Sequence, residues 1–227
     1  MNNICIIPAR GGSKRIPKKN IKSFLGKPII AYSIEAAIKS KLFTEIMVST
    51  DDDDIVKIAK KYGAEIPFMR SKKNSDDFAT TFDVITEVLN EYKKNEFEFD
   101  NVCCIYACAP FLNCEKITEA YNKLLTNKFD SVFPIMEYSY PIQRAVKKNK
   151  NNKLEMFDSK YFSSRSQDLE KSYHDAGQFY WMNTQNVLKK KSLFTNNSGA
   201  LIITEMEGQD IDNLSDWKLA EMKYKLL

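Results

Sequence analysis

Histidine is nearly missing from this sequence: one residue, His174, in a chain of 227. A histidine-rich metal centre is therefore excluded. No apolar run approaches the roughly 20 residues needed to span a bilayer. Met1-Asn2-Asn3 leads into a strand-like run with no basic stretch ahead of it, so no secretory leader and no membrane partner are expected, and the cytoplasm is the expected compartment. There is no large charge excess either. Against 34 Lys and Arg stand 30 Asp and Glu, a net charge of +4, too mild for a nucleic-acid partner. The runs Lys147-Lys148 and Lys189-Lys190-Lys191 read as solvated faces. Five cysteines (Cys5, Cys103, Cys104, Cys108 and Cys114) are an odd set without zinc-ribbon spacing, and read as reduced thiols in apolar strands. Internal repeats and low-complexity linkers are absent. Residues 1–227 are expected to form a single domain, large enough to bury a sizeable core.

What is present is an alternation of short apolar runs and helical periodicity. Ile4–Ile7 reads as a buried strand ending at Pro8. A glycine- and lysine-rich loop follows over 9–27, with Pro28 expected as the first helical position. Ile46–Thr50 reads as a second strand. The carboxylates of Asp51–Asp54 suit the start of the helix that runs to Tyr62. Ile66–Phe68 reads as a short strand. Phe82, Ile85, Val88, Leu89 and Tyr92 mark an amphipathic helix. Val102–Ala107 is an apolar strand, Ile117 to Leu125 a helix, and Ser131–Met136 a strand. This rhythm predicts an α/β fold with three layers and a mostly parallel sheet. It breaks at Tyr138: residues up to Asp175 are polar, aromatic and irregular. Asn149–Asn152 predicts a hairpin turn between Gln143–Lys147 and Lys153–Phe157. Strands are expected again at Gly177–Met182 and Leu201–Thr204, and Ser215 is expected to cap a final helix.

The most informative stretch directly follows the first strand: Ala9-Arg10-Gly11-Gly12-Ser13-Lys14-Arg15-Ile16-Pro17-Lys18-Lys19-Asn20. In open α/β sheets, ligands bind beyond the carboxyl ends of the strands. Adjacent glycines let backbone N–H groups approach an anion, and Arg10, Lys14 and Lys19 add positive charge. The stretch fits neither G-x-x-x-x-G-K-[ST] nor G-x-G-x-x-G, so the common ATPase and dinucleotide readings lose support. On spacing alone, a basic surface loop remains the alternative.

This loop resembles the signature of the CMP-sialic-acid-synthetase family, the acylneuraminate cytidylyltransferases. Further segments share in the resemblance: Gly26-Lys27-Pro28, Val48-Ser49-Thr50-Asp51-Asp52, Gly63-Ala64-Glu65, Ser75-Asp76-Asp77, Ala109-Pro110-Phe111 and Asp175-Ala176-Gly177-Gln178-Phe179-Tyr180-Trp181. The family implies a Rossmann-like nucleotidyltransferase fold that moves CMP from CTP onto a nine-carbon acidic (nonulosonic) sugar, releasing pyrophosphate. By resemblance, Arg10 and Lys14 hold the triphosphate, while Ala9, Gly11, Gly12 and Ser13 cradle phosphates. Asn20 touches the nucleotide or the sugar-side phosphate, and Arg70, Ser75, Thr80 or Thr81, and Cys108 line the nucleotide. Asp210 and Asp212 match the family's Asp-x-Asp pair, which binds Mg²⁺, with Mn²⁺ as a substitute. Residues two apart in an extended segment point the same way, so Ile211 is expected to face the core. Asp51–Asp54 is a competing carboxylate cluster, read first as a helix start.

The excursion over about 138–176 is expected to carry the sugar site and an inserted hairpin and helix that form a homodimer. Across residues 138–181 the candidate sugar contacts are Tyr140, Gln143, Arg144, Arg165, His174, Asp175, Gln178, Phe179 and Tyr180, with His174 read first as a hydrogen-bonded structural histidine. Arg144 and Arg165 are both suited to the sugar carboxylate. Sialic-acid-specific relatives carry Pro-Leu-Arg where this chain has Pro110-Phe111-Leu112-Asn113. That difference favours the family's pseudaminic-acid branch, which serves flagellin glycosylation. N-acetylneuraminate, legionaminate or a 3-deoxy-octulosonate as acceptor, guanylyl transfer, and a non-catalytic nucleotide-binding module are the alternatives.

Overall fold

In the computed structural model, which describes residues 1–227, the first apolar run becomes β1 (Asn3–Pro8), buried from Asn3 to Ile7. A tiny hairpin lies inside the long loop, formed by β2 (Ser23–Phe24) and β3 (Lys27–Pro28). Its two turn residues, Leu25 at φ 46° and Gly26 at φ 97°, are both left-handed, the geometry that matches strand twist in two-residue hairpins. Pro28 is the N-cap of α1 (Ile29–Ser40), one position earlier than expected. β4 (Glu45–Ser49) leads to α2 (Asp53–Lys61), whose first amides are capped by the side chain of Asp52.

The strand expected at Ile66–Phe68 does not form. Glu65 alone bridges to Met47, and the chain then peels away, because Pro67 has no N–H to continue a ladder. α3 (Thr81–Lys94) starts at a capping box between Thr80 and Asp83. β5 (Asn101–Ile105), α4 (Cys114–Thr126) and β6 (Ser131–Glu137) follow as the periodicity predicted.

The excursion contains the expected hairpin, β7 (Val146–Lys148) against β8 (Leu154–Met156). Where a helix was expected there are only single 3-10 turns, at Ile142–Arg144, Ser159–Tyr161 and Ser166–Asp168. The end of the stretch read as irregular is regular: β9 (Tyr173–Asp175) pairs antiparallel with β6. β10 (Phe179–Asn183), α5 (Thr184–Lys190), β11 (Ser198–Ile203) and α6 (Leu214–Tyr224) complete the chain. Asn213, not Ser215, caps α6, in a capping box with Asp216. Of the lysine run at 189–191, Lys190 is not merely solvated: it pairs with Asp130, whose side chain is 4% exposed.

The main sheet runs β11-β6-β10-β5-β1-β4, with β9 added on β6. β1 is parallel to both β4 and β5, and β11 is parallel to β6, whereas β10 is wedged antiparallel between β5 and β6. Alternation along β1 divides the core. Cys5 and Ile7 pack with α1, α2 and α4 on one face; Ile4 and Ile6 pack with Ile85, Val88 and Leu89 of α3 on the other. The result is three layers. A third apolar cluster lies at the carboxyl edge and joins Ile16, Phe24, Ile29, Phe111, Ile211 and Trp217. All five cysteines are free. No helix is long and apolar enough to cross a membrane.

Candidate active site

A cleft of about 380 Å³ opens beyond the carboxyl ends of β1 and β5. It gathers residues distant in sequence: Arg10, Ser13, Lys14 and Asn20 from the first loop, Arg70 and Thr80 from the middle, Cys108 after β5, and Asp210 and Asp212 from near the end. Lys14 and the aspartate pair thus share one cavity.

The loop is irregular but closely held. Ala9 is buried and its N–H donates to Ser49 O at 2.9 Å; the Gly11 N–H donates to Asp51 Oδ1 at 2.9 Å. A Cβ on Gly11 would lie 2.6 Å from Asp52 Oδ2 and 2.8 Å from its Cβ, whereas one on Gly12 would meet nothing. Gly11 is therefore required by close approach, and the acidic run serves the loop as well as the helix start. Part of the expected phosphate cradle is corrected by these bonds. The Gly11 amide is taken by Asp51, the Ser13 amide by Gly11 O at 2.9 Å, and Ala9, Gly11 and Gly12 do not line the cleft.

The cations point at a carboxylate. Arg10 Nη1 lies 2.8 Å from Asp77 Oδ1 and donates to Asp76 O at 2.6 Å, and Lys14 Nζ contacts Asp77 Oδ2. The hydrogen bonds from Lys14 and Arg10 hold the Asp77 carboxyl below the usual carboxylate range. Arg70 is buried; its Nε donates to Ser49 Oγ at 2.9 Å and its Nη2 to Ser49 O. Burial pulls its pKa down, opposed by Asp51 and Glu87. Asn20 is a bridge: its Nδ2 donates to Arg10 O at 2.9 Å, and its Oδ1 accepts from Cys108 Sγ at 3.3 Å. Burial pushes the Cys108 thiol up to about 12, so it stays a protonated donor.

The aspartate pair is held from the same loop. Lys19 Nζ donates to Ile211 O at 2.8 Å. Ile211, 1% exposed, packs in the apolar cluster that also contains Ile16. With Ile211 turned inward, Asp210 and Asp212 face the cleft, as alternation in an extended segment requires. Burial, then repulsion from Asp212, raises the Asp210 pKa. Asp212 Oδ1 is 2.7 Å from Arg15 Nη2. As a metal site the donor set is hard and sparse: two carboxylates, with no group of three or more His, Cys, Asp or Glu. That suits a small cation which keeps waters and phosphates as its other ligands, as Mg²⁺ does.

The acceptor-side expectations fare less evenly. A second cavity, of about 520 Å³, shares Asp210 with the first and is lined by Tyr138, Tyr140, His174, Asp175 and Lys223. Asp175 accepts from Gly177 N at 2.8 Å and from the Tyr180 hydroxyl. Tyr180 itself lines an apolar cavity with Phe133 and Phe194, and burial raises its pKa far above the usual value. Gln178 is buried and donates to Glu207 O at 2.6 Å, bracing the segment that leads into Asp210; it lines neither the cleft nor the cavity beside it. Phe179 is fully buried in the core. Gln143 donates to Glu170 O at 2.8 Å. Arg144 reaches Ser166 Oγ at 3.3 Å, and Arg165 pairs with Asp168 at 2.7 Å, so neither arginine lines the cleft or the cavity beside it. Ser75 turns its hydroxyl back onto Ser71 O at 2.8 Å and does not line the cleft.

Sequence reasoning missed Tyr106 and Asp77 as lining residues, left Lys19 as one charge among several, and passed over Lys223. Asp77 was legible as part of Ser75-Asp76-Asp77. Tyr106, whose hydroxyl is 3.0 Å from Thr81 Oγ1, had only its place at the end of an apolar strand as a signal.

The sequence pattern of the family described as cytidylyltransferase matches residues 4–212. The chain is 46% identical over 226 residues to a pseudaminic acid cytidylyltransferase of Campylobacter jejuni subsp. jejuni, covering 100% of this chain and 97% of the relative. It is 30% identical to a CMP-N,N′-diacetyllegionaminic acid synthase of Legionella pneumophila subsp. pneumophila, with 100% and 97% covered. Among solved structures, a CMP:2-keto-3-deoxy-manno-octonic acid synthetase complexed with CTP superposes with TM-score 0.72 at 16% identity, covering 100% of both chains; this is a likeness of fold. The chain belongs to the cytidylyltransferase family.

Proposed function

We propose that this chain transfers CMP from CTP to the anomeric hydroxyl of pseudaminic acid, a nine-carbon acidic sugar, with release of pyrophosphate. One observation carries the reading. The basic loop and the Asp210/Asp212 pair meet in a single cleft, in a chain 46% identical along its length to a pseudaminic acid cytidylyltransferase.

The anomeric oxygen attacks the α-phosphorus in line. A new O–P bond forms, the bond to pyrophosphate breaks, the hydroxyl proton leaves with pyrophosphate, and the sugar keeps its C–O bond. Positioning and charge neutralisation supply most of the acceleration in such transfers. Arg10 and Lys14 take up the charge of the β- and γ-phosphates and of departing pyrophosphate. Asn20, fixed between Arg10 O and the Cys108 thiol, steadies the nucleotide at the mouth of β5. Arg70, Thr80 and Thr81 line the ribose and base side. Asp210 and Asp212 would hold Mg²⁺, or Mn²⁺ in its place, which when bound neutralises phosphate oxygens. The acceptor lies in the cavity that shares Asp210.

The active unit is a homodimer in this reading. The excursion exposes Tyr140 (84%), Leu154 (74%), Phe157 (69%) and Phe162 (77%), an apolar set suited to a second copy. A subunit contact there would also give Gln143, Arg144 and Arg165 a route to a partner's cleft.

The test is a panel of acidic sugars with CTP or GTP, scored for both pyrophosphate and CMP-sugar. Pseudaminate with CTP is expected to exceed N-acetylneuraminate, legionaminate and 3-deoxy-octulosonate by at least about tenfold, the factor that about 1.4 kcal/mol of discrimination gives. A different preferred acid corrects the sugar. CTP binding without turnover on any of them leaves a binding module.

A further inference from the structure

Arg10 and Lys14 both end on one carboxylate, Asp77, in the cleft where a triphosphate would need them. We infer that Asp77 is a built-in competitor for the polyphosphate: it occupies the two loop cations, yields them to CTP, and reclaims them as pyrophosphate departs. The inference rests on the phosphate-site reading above and adds a residue that sets anion affinity.

The geometry fits exchange better than a fixed structural bond. The side chains are open to water, at 78% exposure for Lys14, 43% for Asp77 and 34% for Arg10, so the pairs part without disturbing the core. Asp77 lies between two local anchors that do not use its carboxylate. Asp76 Oδ1 accepts from the amides of Phe78 and Ala79, each at 2.8 Å. Thr80 then begins α3 through its capping box with Asp83. Between these anchors Phe78 is 90% exposed and packs on nothing that would resist a small swing. Arg10 has a second tether, its bond to Asp76 O at 2.6 Å, so it keeps its place when Asp77 lets go. Lys14 has no such second partner, and is freed to follow the phosphate.

A competitor and a scaffold predict opposite signs. If Asp77 merely arranged the cations, removing its charge would weaken anion binding. A competitor's removal strengthens it. Exposed ion pairs are individually weak, so the effect is a modest one of about 3- to 10-fold.

The experiment titrates inorganic pyrophosphate into the full chain in magnesium-free buffer at fixed ionic strength, for the native protein, Asp77→Asn, Asp77→Ser and Asp77→Glu. The two neutral variants are expected to bind pyrophosphate about 3- to 10-fold more tightly than the native chain, by a margin that shrinks as salt is raised. Asp77→Glu, which keeps the charge, is expected to bind as the native chain does. Equal or weaker binding by folded Asp77→Asn and Asp77→Ser overturns the inference, as does equal tightening in Asp77→Glu. Pyrophosphate binding to none of the four overturns the phosphate site itself. The readout needs neither sugar nor turnover, so a wrong acceptor leaves it unaffected.

Discussion

Residues 9–22 and residues 138–172 are both largely without regular structure, yet they are held in opposite ways. The first stretch is tied to distant parts of the chain: Ala9 to β4, Gly11 to Asp51, Asn20 to Cys108, Lys19 to Ile211, with Ile16 sunk in an apolar cluster. The second is held mostly by itself. Asn149 closes its own turn, Arg165 pairs with Asp168 three residues on, and its large apolar side chains face water. The contrast teaches that irregular backbone is not loose backbone. The first stretch has its precision inside one chain, while the second leaves an exposed apolar surface, the face the proposed homodimer would cover.

The strongest way to break this contrast is at the residues the tethers exist to align. Asp212→Ala is expected to lower turnover with CTP by at least about 100-fold, since metal-assisted charge neutralisation carries several kcal/mol of the barrier, with the melting temperature nearly unchanged. Near-normal turnover would remove Asp212 from its proposed role. Ile211→Ala attacks the tether between those aspartates. Truncating so buried a side chain costs about 2–4 kcal/mol, read by denaturant unfolding, and turnover should fall with it. Leu154→Ala, an equally apolar residue in the excursion, should stay within about 0.5 kcal/mol.

Two glycines sharpen the comparison further. Gly11→Ala forces a clash with Asp52 and should raise the KM for CTP by about tenfold, roughly the effect of 1.4 kcal/mol of misplacement. Gly12→Ala meets nothing and should melt as the native chain does; early melting would show that the loop is packed differently. Last and smallest in stability, the double variant Leu154→Ser with Phe162→Ser should change unfolding free energy per chain by no more than about 0.5 kcal/mol, yet shift the species seen by analytical ultracentrifugation from dimer to monomer. An unshifted dimer would place the subunit contact elsewhere.

Much of the parallel half could be read directly, because buried strands and amphipathic helices announce themselves by periodicity, as Ile4–Ile7 and Phe82–Tyr92 do. What escaped depends on partners far along the chain. Nothing local marks β10 as antiparallel and central; its place between β5 and β6 is set by which strands remain unpaired. Pro67 was a visible signal against a strand at 66–68 and was outweighed by its apolar neighbours. The site divides along the same line. Arg10, Lys14, Asp210 and Asp212 were legible as a motif and an alternating pair. Ser75 was assigned by resemblance and Gln178 as a candidate sugar contact, but their bonds to Ser71 O and Glu207 O depend on how the chain packs around them. Arg144 and Arg165 had the right chemistry for a carboxylate but bond to Ser166 and Asp168 within their own segment and line neither the cleft nor the cavity beside it.

The central claim, that the first loop and the last extended segment grip one polyphosphate, is tested most directly by crystals grown with CTP and Mn²⁺, using the anomalous signal of manganese. The account predicts a manganese peak within about 2–2.5 Å of oxygens from both Asp210 and Asp212, the range for small divalent ions on oxygen ligands, with the triphosphate reaching from it to Arg10 and Lys14. A triphosphate bound away from Lys14, or a metal that touches neither aspartate, would contradict it.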